Sequence, residues 1–415
     1  MWRPQRVIRN AAITITIAIA IANAALSPGA LVFAAECDNV SVGRVPINDL
    51  GPGMYLGQFQ GGLYPNGLNV MPAVHHQAGL TAAQGVVPRA ANGAPHPAGR
   101  IALLSIGMSN TTQEYCAGPP TGCAGYSFVG QALAHPAVNH TSLVLVDGAR
   151  GGQTAATWTD PNAANYDRIR DEVLPALGLT EAQVQAAWIK VANAGPTVGL
   201  PAANSDAMTL LGQLGDIMRA LKVRYPNLRI AFVSSRIYAG YASTLLNPEP
   251  YAYESAFAVK WLIQAQVHQM QTGEVDPVAG DLHHPAAAPW IAWGAYLWAD
   301  GLTPRGDGLV WRCEDLANDG THPSVSGRQK VGSLLLNFML ASPQARPWFT
   351  NPAVFCPADL DGDGSLGQGD LGVLLSDFGC SSGTGMCAGD INGDGRTNQA
   401  DLGLLLGGFG GSCGR

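Results

Sequence analysis

Four short strings in this chain carry the residue types that acyl transfer needs, and they occur in a fixed order. Gly107-Met-Ser109-Asn supplies a hydroxyl nucleophile. Asp147-Gly-Ala-Arg-Gly-Gly152-Gln-Thr and Val191-Ala-Asn193 supply backbone and amide donors for a developing oxyanion, and Asp319-Gly-Thr-His322-Pro-Ser supplies a base with a carboxylate three residues before it. One turn of chain is enough to aim Asp319 at one imidazole nitrogen and leave the other facing Ser109. Two further histidine groups, His75-His76 and Asp281-Leu-His283-His284, offer ligands to a rival metallohydrolase. Adjacent histidines point apart on a strand, and no HExxH spacing accompanies them, so a catalytic metal is not expected.

Near the C-terminus a second chemistry is written twice. Asp359, Asp361, Asp363 and Asp370 fall at positions 1, 3, 5 and 12 of a loop whose sixth residue is Gly364; Asp390, Asn392, Asp394 and Asp401 repeat the pattern around Gly395, 31 residues later. Ser365 and Arg396 complete the two candidate ligand sets at position 7. Oxygen ligands at these spacings, with a glycine at the bend, are what a hard cation such as Ca2+ requires. Each loop runs into a short apolar segment, LGVLLSDF or LGLLLGGF, too brief to be a stable helix alone. Packing the two together supplies the missing stability.

The elements that must position the first set are legible as well. IALLSIG (101–107), LVLVDGA (143–149), WIKVAN (188–193) and IAFVSS (230–235) are short, apolar and nearly uncharged, the mark of buried parallel strands. Amphipathic stretches alternate with them. Met208, Leu211, Leu214, Met218 and Leu221 line one helical face after Ser205, and Val331, Leu334, Leu335, Phe338 and Met339 line another after Pro323. The expected fold is α/β, a three-layer sandwich about a parallel sheet, whose chemistry gathers at the carboxyl ends of the strands.

Order and spacing of the four strings resemble the SGNH, or GDSL-like, hydrolases over about residues 100–340, with DGTHPS the most specific piece. The resemblance implies a flavodoxin-like sheet and a serine esterase in which Ser109, Asp319 and His322 are catalytic and Gly152 and Asn193 join the Ser109 backbone N–H in the oxyanion hole. Two strings depart from the family: Met108 stands where Asp usually follows Gly, and VANAG replaces Gly-x-Asn-Asp. The repeats of 356–413 resemble a dockerin, a small all-α calcium-binding module, with Asp in place of Glu at position 12. That resemblance implies a partner module, typically a cohesin, on a scaffold or surface.

Composition bounds the rest. The 415 residues carry a net charge of −7 with only 13% charged, and Lys and Arg never cluster, which argues against nucleic acid as a partner. Arg3, Arg6 and Arg9 precede an apolar stretch from Ala11 to Ala22, and small residues follow at Val32 and Ala34: a secretory signal over 1–34, with the mature chain beginning near Ala35 and no membrane span in it. Eight cysteines in an exported chain read as disulfides. Cys116–Cys123 and, by elimination, Cys37–Cys313 are expected in the body. Cys356–Cys380 and Cys387–Cys413 are favoured in the tail, with a crossed pairing left open.

The domain boundaries expected are a signal peptide to 34, a hydrolase body over 35–347, a linker over 348–355 and the calcium module over 356–415. Trp290, Trp293, Tyr296, Trp298 and Trp311 are candidates either for the core or for stacking on sugar rings, and Arg150 for steering an anionic or hydroxyl-rich substrate. The expected activity is removal of acetyl or similar acyl groups from a polysaccharide or other carbohydrate ester, with no cofactor for the chemistry. A non-catalytic surface or carbohydrate-binding protein on the same scaffold is the competing class.

Overall fold

The computed structural model describes residues 34–119, 121–351, 356–361, 364–381, 387–392 and 395–412. The expected secretory signal over 1–34 therefore lies almost wholly outside the described residues. Among the described residues no helix is long and apolar enough to cross a membrane.

Five parallel strands form the central sheet: β1 (Ile101–Gly107), β2 (Leu143–Asp147), β3 (Val184–Lys190), β4 (Ile230–Val233) and β5 (Trp290–Trp293). They lie in the spatial order β2-β1-β3-β4-β5. β1 and β3 are buried along their whole lengths, as strands covered on both faces must be. The order reverses between β1 and β3. A right-handed crossover from β1 out to β2 lays its helices on one face, and the crossovers back through β3, β4 and β5 lay theirs on the other. Accordingly α2 (Ser109–Tyr115) and α3 (Phe128–Ala134), from the first crossover, pack against the late helix α6 (Val325–Ala341), while α4 (Asp206–Arg224) packs against α5 (Tyr251–Thr272). An earlier helix, α1 (Ala73–Gln84), reaches β4 and β5.

Side-chain caps fix two of the helix starts. Ser205 Oγ accepts from the Met208 N–H at the head of α4, and Ser324 does the same for Gly327 at the head of α6. The apolar faces expected of these helices turn inward: Leu211, Leu214, Met218 and Leu221 on α4, and Val331, Leu335 and Met339 on α6, are buried, with Met208, Leu334 and Phe338 partly so.

Three features differ from the sequence expectation, and one open alternative is decided. β3 begins at Val184, four residues early, because the polar Gln185 is accommodated inside: its Oε1 accepts from the Val87 N–H and from Arg89 Nε, and its Nε2 donates to the Val87 carbonyl. β5 is an additional strand. Trp290, Trp293, Tyr296, Trp298 and Trp311 are all buried, which removes them as sugar-stacking surfaces and makes them core. Trp348 and Phe349, expected to begin a linker, are buried in the body, where Asn139 N–H donates to the Phe349 carbonyl and Asn351 N–H to that of Ala137.

Disulfides Cys37–Cys313 and Cys116–Cys123 close the body as expected. In the tail the bond is Cys380–Cys387, which overturns both favoured pairings. It joins the end of the first repeat to the start of the second across seven positions instead of closing either repeat on itself. Cys356 is also disulfide-bonded, and Cys413 lies outside the described residues. The apolar segments form α7 (Gln368–Ser376) and α8 (Gln399–Gly408), which pack together around Leu366, Leu374 and Leu405. Each loop is clipped by backbone pairing to the residues that follow the other repeat's helix, Leu366 with Gly410 and Gly411, and Thr397 with Gly379 and Cys380.

Candidate active site

The two strands between which the order reverses, β1 and β3, are also where the polar strings converge. Ser109 opens α2, two residues past the end of β1, and its backbone N–H, in the first turn, has no acceptor within the helix. His322 and Asp319 sit on the turn that leads into α6. Ser109 Oγ lies 2.8 Å from His322 Nε2, and His322 Nδ1 lies 2.6 Å from Asp319 Oδ2. The other carboxylate oxygen, Asp319 Oδ1, accepts from the backbone N–H groups of Thr321 and His322 at 3.0 Å. Partial burial pushes the Asp319 carboxyl up, but the hydrogen bonds from the His322 side chain and from those two N–H groups outweigh it, and the carboxyl sits below its usual range. Asp319 is thus held ionised against the imidazole.

The turn is built for this. Gly320 has φ +63°, and a Cβ there would stand 1.8 Å from the Tyr241 carbonyl oxygen. Ala317 N–H donates to the His322 carbonyl at 2.7 Å, and Ser243 N–H to that of Asp319 at 3.1 Å, so the DGTH segment is fastened at both ends.

Ser109 is positioned from beneath. Thr111 Oγ1 accepts from the Met108 N–H at 3.2 Å and donates to the Lys190 carbonyl at 2.6 Å, which ties the Ser109 turn to the end of β3. Glu114 and Lys190, both fully buried, form an ion pair at 2.5 Å between α2 and β3. Desolvation raises the Glu114 carboxyl and lowers the Lys190 ammonium to about 8, each countered by the other's charge. On the opposite side Asp147, at the end of β2, accepts from Ser105 Oγ at 2.6 Å and Thr112 Oγ1 at 2.5 Å.

The remaining members of the expected set line the same cavity, of about 290 Å3, together with Ser109 and His322: Gly152, at the loop after β2, and Asn193, three residues after β3. Asn193 Nδ2 donates one hydrogen to Asp206 Oδ1 at 3.1 Å, and an amide nitrogen carries a second. A contiguous cavity of about 330 Å3 continues past Thr154, Asn193 and Ala194 toward Asn204 and Thr209.

Of the rival ligands, His75 is buried, with Nε2 on the Ile291 carbonyl and its ring stacked on Trp290; burial lowers it to about 4. His76 Nδ1 lies 2.9 Å from Gln344 Nε2. Neither His pair belongs to a grouping of metal-ligating side chains among the described residues. Arg150 is exposed.

Four residues of the site were not singled out by the sequence. Asn110 Nδ2 donates to the Thr321 carbonyl at 3.0 Å; Asp206 accepts from Asn193 and, at 3.2 Å, from Asn247; and Arg236 lines the cavity with Asn247. Arg236 alone had a legible signal. It is the lone charge just beyond an apolar strand, at the sheet edge where the other strings end.

In the tail, carboxylate oxygens of Asp359, Asp361 and Asp370 lie within 4.8 Å of one another. Three carboxylates so close repel unless a cation lies among them, and their oxygens suit a hard divalent ion. Both bends need glycine, Gly364 with φ +84° and Gly395 with φ +83°, and there the N–H turns back onto the first aspartate, Asp359 at 3.1 Å and Asp390 at 2.7 Å. Asp370 and Asp401 close the two loops alike, each accepting from three backbone N–H groups. Asn392 stands in the second loop with Asp390 and Asp401. Ser365 and Arg396, at position 7, form β-bridges with Ser412 and Ser381. Asp363 and Asp394 lie outside the described residues.

No protein-family model matches the chain, and no curated protein is significantly similar to it. Among solved structures the chain is similar to a family two carbohydrate esterase from Clostridium thermocellum solved with cellohexaose (14% identity, 60% of this chain, 65% of that one, TM-score 0.34). It is also similar to a salicylyl-acyltransferase of a tetracycline biosynthetic pathway (12% identity, 60% and 56%, TM-score 0.32) and to an extracellular lipase from Streptomyces rimosus (14% identity, 57% and 98%, TM-score 0.27). The chain thus spans about two thirds or less of the first two.

Proposed function

We propose that this chain is an exported serine esterase of the SGNH type that removes acetyl or similar acyl groups from a carbohydrate ester, tethered through a C-terminal dockerin-like calcium module. The observation that carries the reading is the hydrogen-bonded chain Ser109 Oγ, His322 Nε2, His322 Nδ1, Asp319 Oδ2, drawn from positions 213 residues apart. In it His322 takes the Ser109 proton as the hydroxyl attacks the ester carbonyl, then returns it to the departing alcohol; water repeats the cycle on the acyl-enzyme. Asp319, ionised and bonded to Nδ1, holds the tautomer that leaves Nε2 free to accept. The Ser109 and Gly152 N–H groups and the second Asn193 amide hydrogen, all from residues that line the cavity, would be the donors for the oxyanion.

The sugar half of the substrate rests on less: the open second cavity beyond Asn193, and the dockerin-like company in the sequence. A cohesin-like scaffold protein is the partner this module implies. In the tail, Asp359, Asp361, Asp370, Asp390, Asn392 and Asp401, with Asp363, Asp394 and the position-7 residues Ser365 and Arg396, are the residues that would hold Ca2+. Its bound charge would neutralise the carboxylates and brace α7 against α8.

Hydrolysis of p-nitrophenyl acetate by the wild type and by Ser109→Ala tests the assignment. Turnover that the substitution abolishes supports it. Equal rates remove Ser109 from the mechanism, and no turnover by either favours a binding protein on the same scaffold.

A further inference from the structure

A buried arginine faces the reaction cavity with no anion of its own. Arg236 follows β4 and is 1% exposed, yet its guanidinium, with five N–H donors, makes a single hydrogen bond, from Nη2 to the Leu246 carbonyl at a long 3.3 Å. Its Nε has no acceptor at all. Among the described residues no carboxylate forms an ion pair with it: Glu114 is spent on Lys190, Asp319 on His322, and Glu249 on the Trp298 indole and the Ala239 N–H. An arginine cannot shed its proton at physiological pH; Glu114, Glu249 and Asp319 are near enough to attract it, but with none of them bonded to it the buried charge stays costly. It lines the cavity that holds Ser109 and His322.

Two neighbours add to the picture. Asn247 Oδ1, on the cavity wall, is a buried acceptor without a partner, which suits a substrate hydroxyl and not the carboxylate itself. Arg150, two residues before Gly152 on the same loop, is exposed and has no hydrogen bond or ion pair from its side chain, so it adds positive charge to that loop.

We infer that Arg236 binds a carboxylate of the substrate, so that the preferred esters are anionic ones, carrying a carboxylate close to the ester that Ser109 attacks. A guanidinium fork and a carboxylate match in shape as well as charge, and a dry cavity strengthens the pair. The carboxylate has two sources, a uronate on the alcohol half or a dicarboxylic acid on the acyl half. This inference rests on the esterase reading and deepens it.

The test compares kcat/KM for matched pairs: an O-acetylated glucuronate against its methyl ester, and a sugar hemisuccinate against its methyl ester. The wild type is expected to prefer the free carboxylate by about tenfold or more in one pair, the size of a charge-assisted hydrogen bond, and the pair that shows it identifies the source. Arg236→Gln is expected to erase that preference. Equal rates within both pairs, or a faster methyl ester, overturn the inference even if that variant fails to fold, because the wild type alone decides it. If neither pair is hydrolysed, p-nitrophenyl acetate turnover decides the esterase reading, and calorimetric titration of the wild type with glucuronate and with its methyl ester decides the anion site separately. Binding of glucuronate in preference supports it, and no preference overturns it.

Discussion

Asn110 Nδ2 donates to the carbonyl of Thr321 at 3.0 Å, and in doing so joins the residue after Ser109 to the residue before His322 across 211 positions of sequence. Ser109 and His322 belong to separate elements, the head of α2 and the turn before α6. Their 2.8 Å separation therefore depends on contacts that fix one element to the other, and this one is buried and adjacent to both.

Replacing Asn110 by alanine should leave the Thr321 carbonyl without its donor, at a cost of about 1–3 kcal/mol in stability. It should lower kcat more than it raises KM, because the loss falls on alignment within the site. Thermal unfolding and steady-state kinetics on a simple acetyl ester check both; an unchanged kcat would show that the two loops keep their register without it.

The oxyanion side makes a separate prediction. Asn193→Ala removes a donor and should cost about 3 kcal/mol of transition-state stabilisation, or roughly a hundredfold in kcat or more. Asp206→Ala should reproduce part of that loss with Asn193 still present, since the Asp206 bond turns the amide. If the double variant is slower than Asn193→Ala by the full Asp206 factor, the two act independently and Asp206 has no orienting role.

Asp147 gives a pH signature. Burial lifts its carboxyl to about 6, against the pull of hydrogen bonds from Ser105, Thr112 and the Ala149 N–H. A folded pKa above the unfolded value of about 4 means the folded chain holds the proton more tightly. The resulting stability is full below about pH 4 and is lost as pH rises through about 6. Relative to Asp147→Asn, the wild type should therefore gain stability as pH falls from 7 to 4, by on the order of 2–3 kcal/mol at most. Denaturation midpoints at several pH values measure this; a difference that does not vary with pH contradicts it.

For the tail, saturating Ca2+ at a hundredfold excess over its dissociation constant should stabilise the module by about 2.7 kcal/mol. A chelator should reverse the gain, and Asp359→Ala with Asp390→Ala should abolish the response. An unfolding profile indifferent to calcium in the wild type would count against metal ligation there.

Much of the site was readable because its chemistry is local in sequence. Asp319 and His322 lie within one turn, and β1 occupies the run 101–107 that alternation-free hydrophobicity marks. What was hidden depends on tertiary partners. Gln185 disguises the start of β3 because its amide is satisfied by Val87 and Arg89, nearly a hundred positions away. The aromatic residues of β5 and the segments after it look the same in sequence whether they stack on a sugar or fill a core, and only burial separates the two. The symmetric cysteine spacing of the tail suggested bonds within repeats, whereas the bond forms at their junction. Asp206 acts through Asn193 and Asn247, which other elements bring to it, so its type alone said little.

The central claim is that His322 activates Ser109, and covalent labelling tests it most directly. A fluorophosphonate should form one adduct, located by peptide mass spectrometry on Ser109, and His322→Ala should suppress it. An adduct on another serine, or labelling of Ser109 that is undiminished without the imidazole, would contradict the account.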